Sequence, residues 1–469
     1  MKAIKRLIVL VLAGLAITAC SNGNEAPEPQ TEHPDTDVPD VYAAFSIRIP
    51  SASRSRSVQG KATDSGIDAE NIVKTLHVFI YDYETPHTPT VAQFSVDDNS
   101  LKPAQNSSTQ WITDKAIKTK KTDKLIFAGI NLTSAIVTEI LNSGLGAFNY
   151  QEFAQTVSDL ADTTKGFVMF NATYPVKTAA DNLSGTEEAA QNSPIAISVD
   201  RAVAKAAVSK GGSFVVNGGG QMSELKYGWR NINKKFYFIP KLDGGIIKDY
   251  NWDTYSTNDF YRGTDVLPVN ENGVTPSRFS YALENAFNFV PNVSVVNGAT
   301  FLSVQGKFVP DKAIRIKESI SSTGGTPSKR DDFETIDNPG GAATFYVVRT
   351  NDGIANYFID PGSATEFARL SIANAPGMPV MSGTYDILKN TYTDGLCYYH
   401  IFVNSGAATP YAPYNIYRNQ YYKVTINSIQ APGNPNDNFD DGEPIVPNAW
   451  IDVDINVNAW VVVEEDQDL

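Results

Sequence analysis

Few residues of this 469-residue chain have the type and setting for covalent chemistry: two cysteines, four histidines and one pair of close arginines. Cys20 follows Ile17-Thr18-Ala19. A small residue directly before a cysteine is the pattern of a bacterial lipoprotein signal, in which the thiol is acylated and becomes the new N-terminus. Lys2, Lys5 and Arg6 precede the apolar run Leu7 to Ala16, which has the size of a signal-peptide core and is too short to span a bilayer. Residues 1–19 are therefore expected to be a lipoprotein signal peptide, the alternative being an ordinary secretory signal with an incidental cysteine. Acyl chains hold a protein to a membrane through buried methylenes, at roughly 0.8 kcal/mol each. Once Cys20 is acylated only Cys397 is left, so no intrachain disulfide is expected.

The arginines stand in Pro50-Ser51-Ala52-Ser53-Arg54-Ser55-Arg56-Ser57. Small polar residues around Arg54 and Arg56 make an exposed site for a trypsin-like protease, with either bond open to it. Other chemistry finds little support. Cys397 and His400 are three apart on an extended segment and point to opposite faces, so they cannot form a nucleophile–base dyad. There is no Gly-x-Ser-x-Gly, P-loop or His-Glu-x-x-His. The acidic stretch Asn436, Asn438, Asp440, Asp441 and Glu443 departs from a calcium loop because Asp441 stands where the glycine is needed. No catalytic residue, metal or cofactor is expected. The balance of 38 basic against 52 acidic side chains, net −14, argues against a nucleic-acid partner.

The elements around these residues are mostly strands. Ser21 to Asp40 is rich in Pro, Glu, Asp and Asn and reads as a flexible spacer. The composition of the whole chain, 42% hydrophobic, 11% aromatic and 19% charged residues, is that of globular domains. Short β-branched and aromatic runs cover residues 72–81, 124–131, 166–171, 343–349, 396–404 and 421–429. Gly-, Asn- and Pro-rich turns separate them, as in β-sandwiches. Helices are expected at residues 134–141 and 148–160, with a short third at 281–289. A boundary near residue 209, where the chain turns Gly-rich, divides an N-terminal domain, residues 57–208, from a C-terminal one, residues 209–469. Tyr398, Tyr399, Tyr411, Tyr414, Tyr417, Tyr421 and Tyr422 are expected to be core and cross-strand packing, a carbohydrate- or partner-binding face being the alternative.

The two ends of the globular part share one pattern. Val41, Ala43, Phe45, Ile47 and Ile49 alternate with Tyr42, Ala44, Ser46 and Arg48. Ile451, Val453, Ile455 and Val457 alternate with Asp452, Asp454, Asn456 and Asn458. Each is a strand with one apolar face, compatible with an ordinary sandwich edge. A cut at Arg54 or Arg56 would separate the first strand and its lipid from the rest, leaving an apolar groove and unpaired backbone groups open to another chain's strand. Residues 431–447, rich in Pro, Gly and Asp, would serve as a flexible linker for a detachable end.

With these features the chain resembles the fimbrillins that build type V pili on Gram-negative anaerobes of the Bacteroidales, in particular the shaft-subunit class of the minor, short fimbriae. The residues that carry the resemblance are the lipobox, Ala43 to Arg56, Val199-Asp200-Arg201-Ala202-Val203-Ala204-Lys205, Leu396-Cys397-Tyr398-Tyr399-His400, Tyr417 to Val424 and Ile451 to Trp460. It implies a mainly β protein of two transthyretin-like β-sandwich domains with a few short helices. It further implies export as an outer-membrane lipoprotein with residues 20–56 as a propeptide, and removal of the strand Val41 to Ile49 by an arginine-specific protease. The terminal strand of another copy or another fimbrial subunit, within Trp450 to Val463 here, would then fill the groove, in support of adhesion and biofilm. A monomeric surface lipoprotein that binds glycans or a protein, and a tip or accessory subunit, are the alternatives. The N-terminal mass of the protein taken from the cell surface is expected to start at Ser55 or Ser57 without lipid. Replacing both Arg54 and Arg56 with alanine should shift that start to acylated Cys20, and an unshifted start would refute cleavage there.

Overall fold

The computed structural model describes residues 38–50, 63–84, 89–148, 153–154, 156–254, 256–290, 294, 296–338, 341, 343–404, 410–438, 445 and 450–461. From Asp40 onward these form one compact unit. Cys20, Arg54 and Arg56 lie outside the described residues. Among the described residues no helix is long and apolar enough to cross a membrane.

The front half supplies β1 (Asp40–Ala43), β2 (Phe45–Arg48), β3 (Thr63–Ser65), β4 (Thr75–Asp82), β5 (Thr90–Ser95), β6 (Leu101–Pro103), β7 (Gln110–Thr113), β8 (Ile117–Lys120), β9 (Lys124–Ile130), β10 (Met169–Asn171) and β11 (Ile195–Arg201). Eight of them join in the order β5-β4-β9-β10-β11-β2-β7-β6. β4 is buried from Leu76 to Tyr81, because it lies between β5 and β9 and is covered on both faces. A continuous β-branched and aromatic run suits that place. β11 turns the corner of the sheet. Its first half pairs in parallel with β2 and its last residues pair antiparallel with β10.

The second half supplies β12 (Val203–Val216), β13 (Gly220–Arg230), β14 (Ser280–Leu283), β15 (Phe301–Pro310), β16 (Leu396–Ile401), β17 (Gln420–Ile429) and β18 (Ile451–Val461). One sheet runs β14-β12-β17-β18-β3, and a second places β15 between β13 and β16. The two enclose a core in which Ala204, Ala206, Val208, Tyr422, Val424 and Ile426 meet Tyr227, Trp229, Leu302, Val304 and Tyr399. Trp229 and Tyr422 meet edge to face at 5.8 Å, a favourable arrangement of the ring quadrupoles.

β12 serves both halves. Its even positions, Ala204, Ala206 and Val208, enter this second core, while Val203 and Ala207 belong to the apolar cluster of the front sheet. The two-residue period of a strand thus lets one segment line two cores.

The fold is mainly β with a few short helices, as the strand runs imply. α1 (Ser134–Ser143) forms where expected, capped by Thr133, whose side chain accepts from the Ile136 N–H. Two other helix expectations fail. Among the described residues of 148–160, Phe148 ends a 3-10 helix (Gly144–Phe148), Phe153–Ala154 is extended and Val157–Leu160 is α-helical, and the Phe148 ring lies in the front core, stacked 3.8 Å from Phe127. Tyr281 starts no helix, because β14 pairs with Val203–Ala206 of β12. The longest of the helices not foreseen is α2 (Pro361–Ile372), with Asp360 as its cap and Pro361 at its first turn. Its Phe367 packs on Phe333 and Phe358 in a third, smaller cluster.

Phe45 of β2 is fully buried in the front core. Phe45→Ala in the uncut chain is expected to lower stability by about 3–5 kcal/mol, read as a fall in the urea midpoint.

Candidate functional site

The front strand occupies an interior slot. β2 runs parallel to β11, with Phe45 opposite Ile195 and Ile47 opposite Ile197, and antiparallel to β7 on its other side, with Ile47 opposite Trp111. Val41, Ala43, Phe45, Ile47 and Ile49 are all buried. Ala44 and Ser46, on the opposite face, are buried as well. Alternation alone suggested a sheet edge with one covered face, but this strand is enclosed on both sides and over both faces. The Phe45 N–H donates to Thr113 Oγ1 at 3.0 Å, and Gln110 Nε2 donates to Ser46 Oγ at 2.7 Å. β1 continues the segment against β8, and Asp40 pairs there with Lys118 and Lys120 at the surface.

The terminal strand has a different setting. β18 pairs antiparallel with β17 from Ile451 to Ala459. Among the described residues its other side meets only β3, in parallel, at Ala459, Trp460 and Val461. Asp452, Asp454 and Asn456 face solvent, and Val453, Ile455 and Val457 lie half-buried against the second core. Trp460 belongs to the front core instead. The last strand therefore reaches from one core to the other.

Around Trp460 lies a cluster that the sequence did not reveal. Lys205 and Glu70 have no solvent exposure, and Nζ lies 2.8 Å from Oε2. The same oxygen accepts the Ile67 N–H, and Oε1 accepts the Tyr281 hydroxyl. Arg201, also buried, donates to the Trp460 carbonyl at 3.0 Å, to Asn419 Oδ1 at 3.1 Å and to the Glu70 carbonyl at 3.2 Å. Its guanidinium lies 4.3 Å from the Trp460 ring, and the Lys205 ammonium 4.7 Å from it. Burial pulls the Lys205 ammonium down to about 8, although Glu70 opposes the shift. The one visible signal was a lysine and an arginine inside the Ala- and Val-rich run Val199 to Val208.

The segment read as a flexible linker is pinned over its first part. Asn434 exchanges backbone hydrogen bonds with Tyr398, the Tyr399 hydroxyl donates to the Ala431 carbonyl, and Arg349 donates to the Pro432 carbonyl. Asp437 accepts from Arg230, from Ser303 and, at 3.2 Å, pairs with His400. His400 is thus committed to Asp437. The Cys397 sulfur lies 3.7 Å from both the Gly306 carbonyl and the Tyr399 hydroxyl. Burial pushes the Cys397 thiol up to about 11, the opposite of what a nucleophile needs. Tyr399, Tyr411, Tyr417, Tyr421 and Tyr422 are buried, and Tyr398 and Tyr414 half-buried, so the tyrosine-rich region is largely core. Among the described residues no group of three or more His, Cys, Asp and Glu side chains could hold a metal ion. Asp440, Asp441 and Glu443 lie outside those residues.

Residues 390–466, which contain β16, β17 and β18, match the family of the major fimbrial subunit protein (type IV), fimbrillin, C-terminal. No curated protein matches the chain. Solved structures similar to it include a fimbrilin of Porphyromonas gingivalis, at 15% identity and TM-score 0.45, covering 91% of this chain and 99% of that one. The tip fimbrial protein Mfa3 of Porphyromonas gingivalis aligns at 13% identity and TM-score 0.40, over 90% of this chain and 100% of that one. A candidate cell adhesion protein of Parabacteroides distasonis aligns at 14% identity and TM-score 0.46, over 90% and 99%. The match over residues 390–466 to a fimbrillin C-terminal region agrees with the resemblance to the fimbrillins.

The Asp437 anchor has a definite pH dependence. Burial pushes its carboxyl up, but the hydrogen bonds from His400 and Ser303 and the Arg230 charge outweigh burial and hold it below the usual carboxylate range. A carboxyl depressed on folding contributes stability that is present above its unfolded value and lost as pH falls through the folded one. Amide exchange of residues 431–438 is therefore expected to quicken as pH drops below about 4, after correction for intrinsic rates. Asp437→Asn should remove that acid step, and an unchanged step would show that another group carries it.

Proposed function

We propose that the chain is a structural shaft subunit of a cell-surface fimbria of the type V pilus kind, polymerised by protease-triggered strand exchange. It is exported as a lipoprotein acylated at Cys20 and held at the outer membrane until an arginine-specific protease cuts after Arg54 or Arg56. The segment from Cys20 through β2 then leaves, and the terminal strand of a neighbouring subunit enters the slot. The chain from residue 57 on forms the two sandwiches of the mature subunit, and the boundary expected near residue 209 falls inside β12, which both share. Adhesion and biofilm support follow from the filament.

One observation carries this reading: β2 fills an interior slot with every alternating apolar position buried, and the arginine pair follows it directly in the chain. Losing such a strand exposes two rows of backbone groups and a hydrophobic trench. Refilling it recovers about 1.5–3 kcal/mol for each large apolar side chain buried. While the chain is intact its own β2 competes at high effective concentration, and cutting removes that advantage irreversibly. Burial of Ala44 and Ser46 adds a requirement. An incoming strand must place short, uncharged side chains there, so Asp452 and Asp454 have to fall at other positions.

A monomeric surface lipoprotein is the second reading, favoured by the pairing of β18 with β17 within one chain. Val453→Asp with Ile455→Asp separates the two. Cleaved chains of this variant are expected to stay monomeric, with unchanged processing and near-UV circular dichroism. Long polymers from it would place the donor elsewhere, and absence of polymers from the unmutated cleaved chain would favour the monomer.

A further inference from the structure

The terminal strand cannot act on a neighbour while it is held at home, and the hold is concentrated at one end. From Ile451 to Val457 one side of β18 has β17, and β3 reaches the other side only at Ala459 to Val461. The segment that makes this second contact, Thr63–Asn71, is the first described stretch after the arginine pair.

Its grip is built from three contacts. Asp64 Oδ2 accepts Lys423 Nζ of β17 at 2.6 Å and Asn458 Nδ2 of β18 at 3.3 Å, so one carboxylate ties both strands to β3. Gly66 lies directly on the indole: a Cβ there would stand 2.6 Å from Trp460 Nε1 and 2.3 Å from Glu70 Oε2. Glu70 then closes the segment on Lys205 and Tyr281, and Arg201 bridges the Glu70 and Trp460 carbonyls. Trp460 is enclosed between these groups, with Phe167 edge-on at 5.6 Å and Tyr281 stacked at 6.0 Å.

We propose that Thr63–Asn71 is a clasp that keeps the terminal strand in its own sheet until the chain upstream of it is cut. In the intact chain β3 is tethered on one side through β2, locked in the front core, and on the other through Glu70. Cutting at Arg54 or Arg56 and losing β2 turns β3 into a three-residue strand near a new chain end, and such ends fray. The cut that empties the slot thereby also loosens the donor. The second half of this proposal rests on the cleavage reading; the clasp itself does not.

The test is amide hydrogen exchange over Ile451–Val461 in the full chain, with β4 as the internal control for global unfolding. Asp64→Ala in the uncut chain, and independently Lys423→Ala, should each speed exchange there about tenfold while β4 keeps its protection. Cutting the unmutated chain with an arginine-specific protease should have the same effect. Unchanged exchange in both uncut variants overturns the clasp. Faster exchange in the variants with none on cutting overturns its coupling to proteolysis. Running Asp64→Ala in an Arg54→Ala, Arg56→Ala chain separates the outcomes, because failure of the cleavage reading leaves that arm unaffected.

Discussion

Two opposite charges, Lys205 and Glu70, are sealed from water in the middle of this molecule, and much else has to be in place to keep them there. Removing one partner of such a pair typically costs about 3–5 kcal/mol, because the other is left buried and uncompensated. Glu70 therefore has to be delivered by the segment after β3, Lys205 by β12, the Tyr281 hydroxyl by β14 and the Trp460 indole by β18. Arg201 adds a second buried cation and is held by carbonyls and amides from both ends of the chain. The cluster joins residues more than two hundred positions apart. None of the contributing strands could occupy its place without the others.

This arrangement depends on β12 facing two ways. A sandwich needs only one apolar face per strand, yet β12 gives its even positions to the second core and its odd ones to the front. Lys205 falls on an odd position and so lies where the two cores meet. β18 follows the same logic along its length, with Ile451 in the second core and Trp460 in the front one. A strand shared by two cores is held most firmly at the end where it crosses between them. That explains why a strand with three exposed polar positions still has a fully buried tryptophan near its end.

The front strand obeys a contrasting rule. β2 contributes no buried charge, and apart from the hydrogen bonds to Gln110 and Thr113 it is held by burial and by the backbone ladders of β7 and β11. Such contacts are generic: any strand of suitable pattern can remake them. The contacts at Trp460 are specific to these residues. One end of the chain thus offers a place that another strand could fill, while the other is fastened by groups that fit only each other.

Alternation by two residues made β2 and β18 legible, and continuous β-branched and aromatic runs made β4, β9 and β17 legible, because these patterns are local and strands obey them wherever they pack. The lipobox and the arginine pair are local too. What stayed out of reach depends on partners distant in sequence. Nothing in Val41 to Ile49 says that the strand lies inside a sheet rather than at its edge, since that is decided by β7 and β11. Residues 148–160 carry helical spacing, but Phe153 and Ala154 pair as a short strand with Phe236 and Lys235, a partner that lies some eighty residues away. The Pro- and Gly-rich stretch after Ala431 looks free in composition and is pinned because Asp437 meets Arg230, Ser303 and His400. Local pattern determined which of these segments are strands. Only the tertiary structure decided that Lys205 has Glu70 as its counter-ion and that Trp460 packs against the Lys205 and Arg201 cations, because a buried charge can be placed only once its distant partner is known.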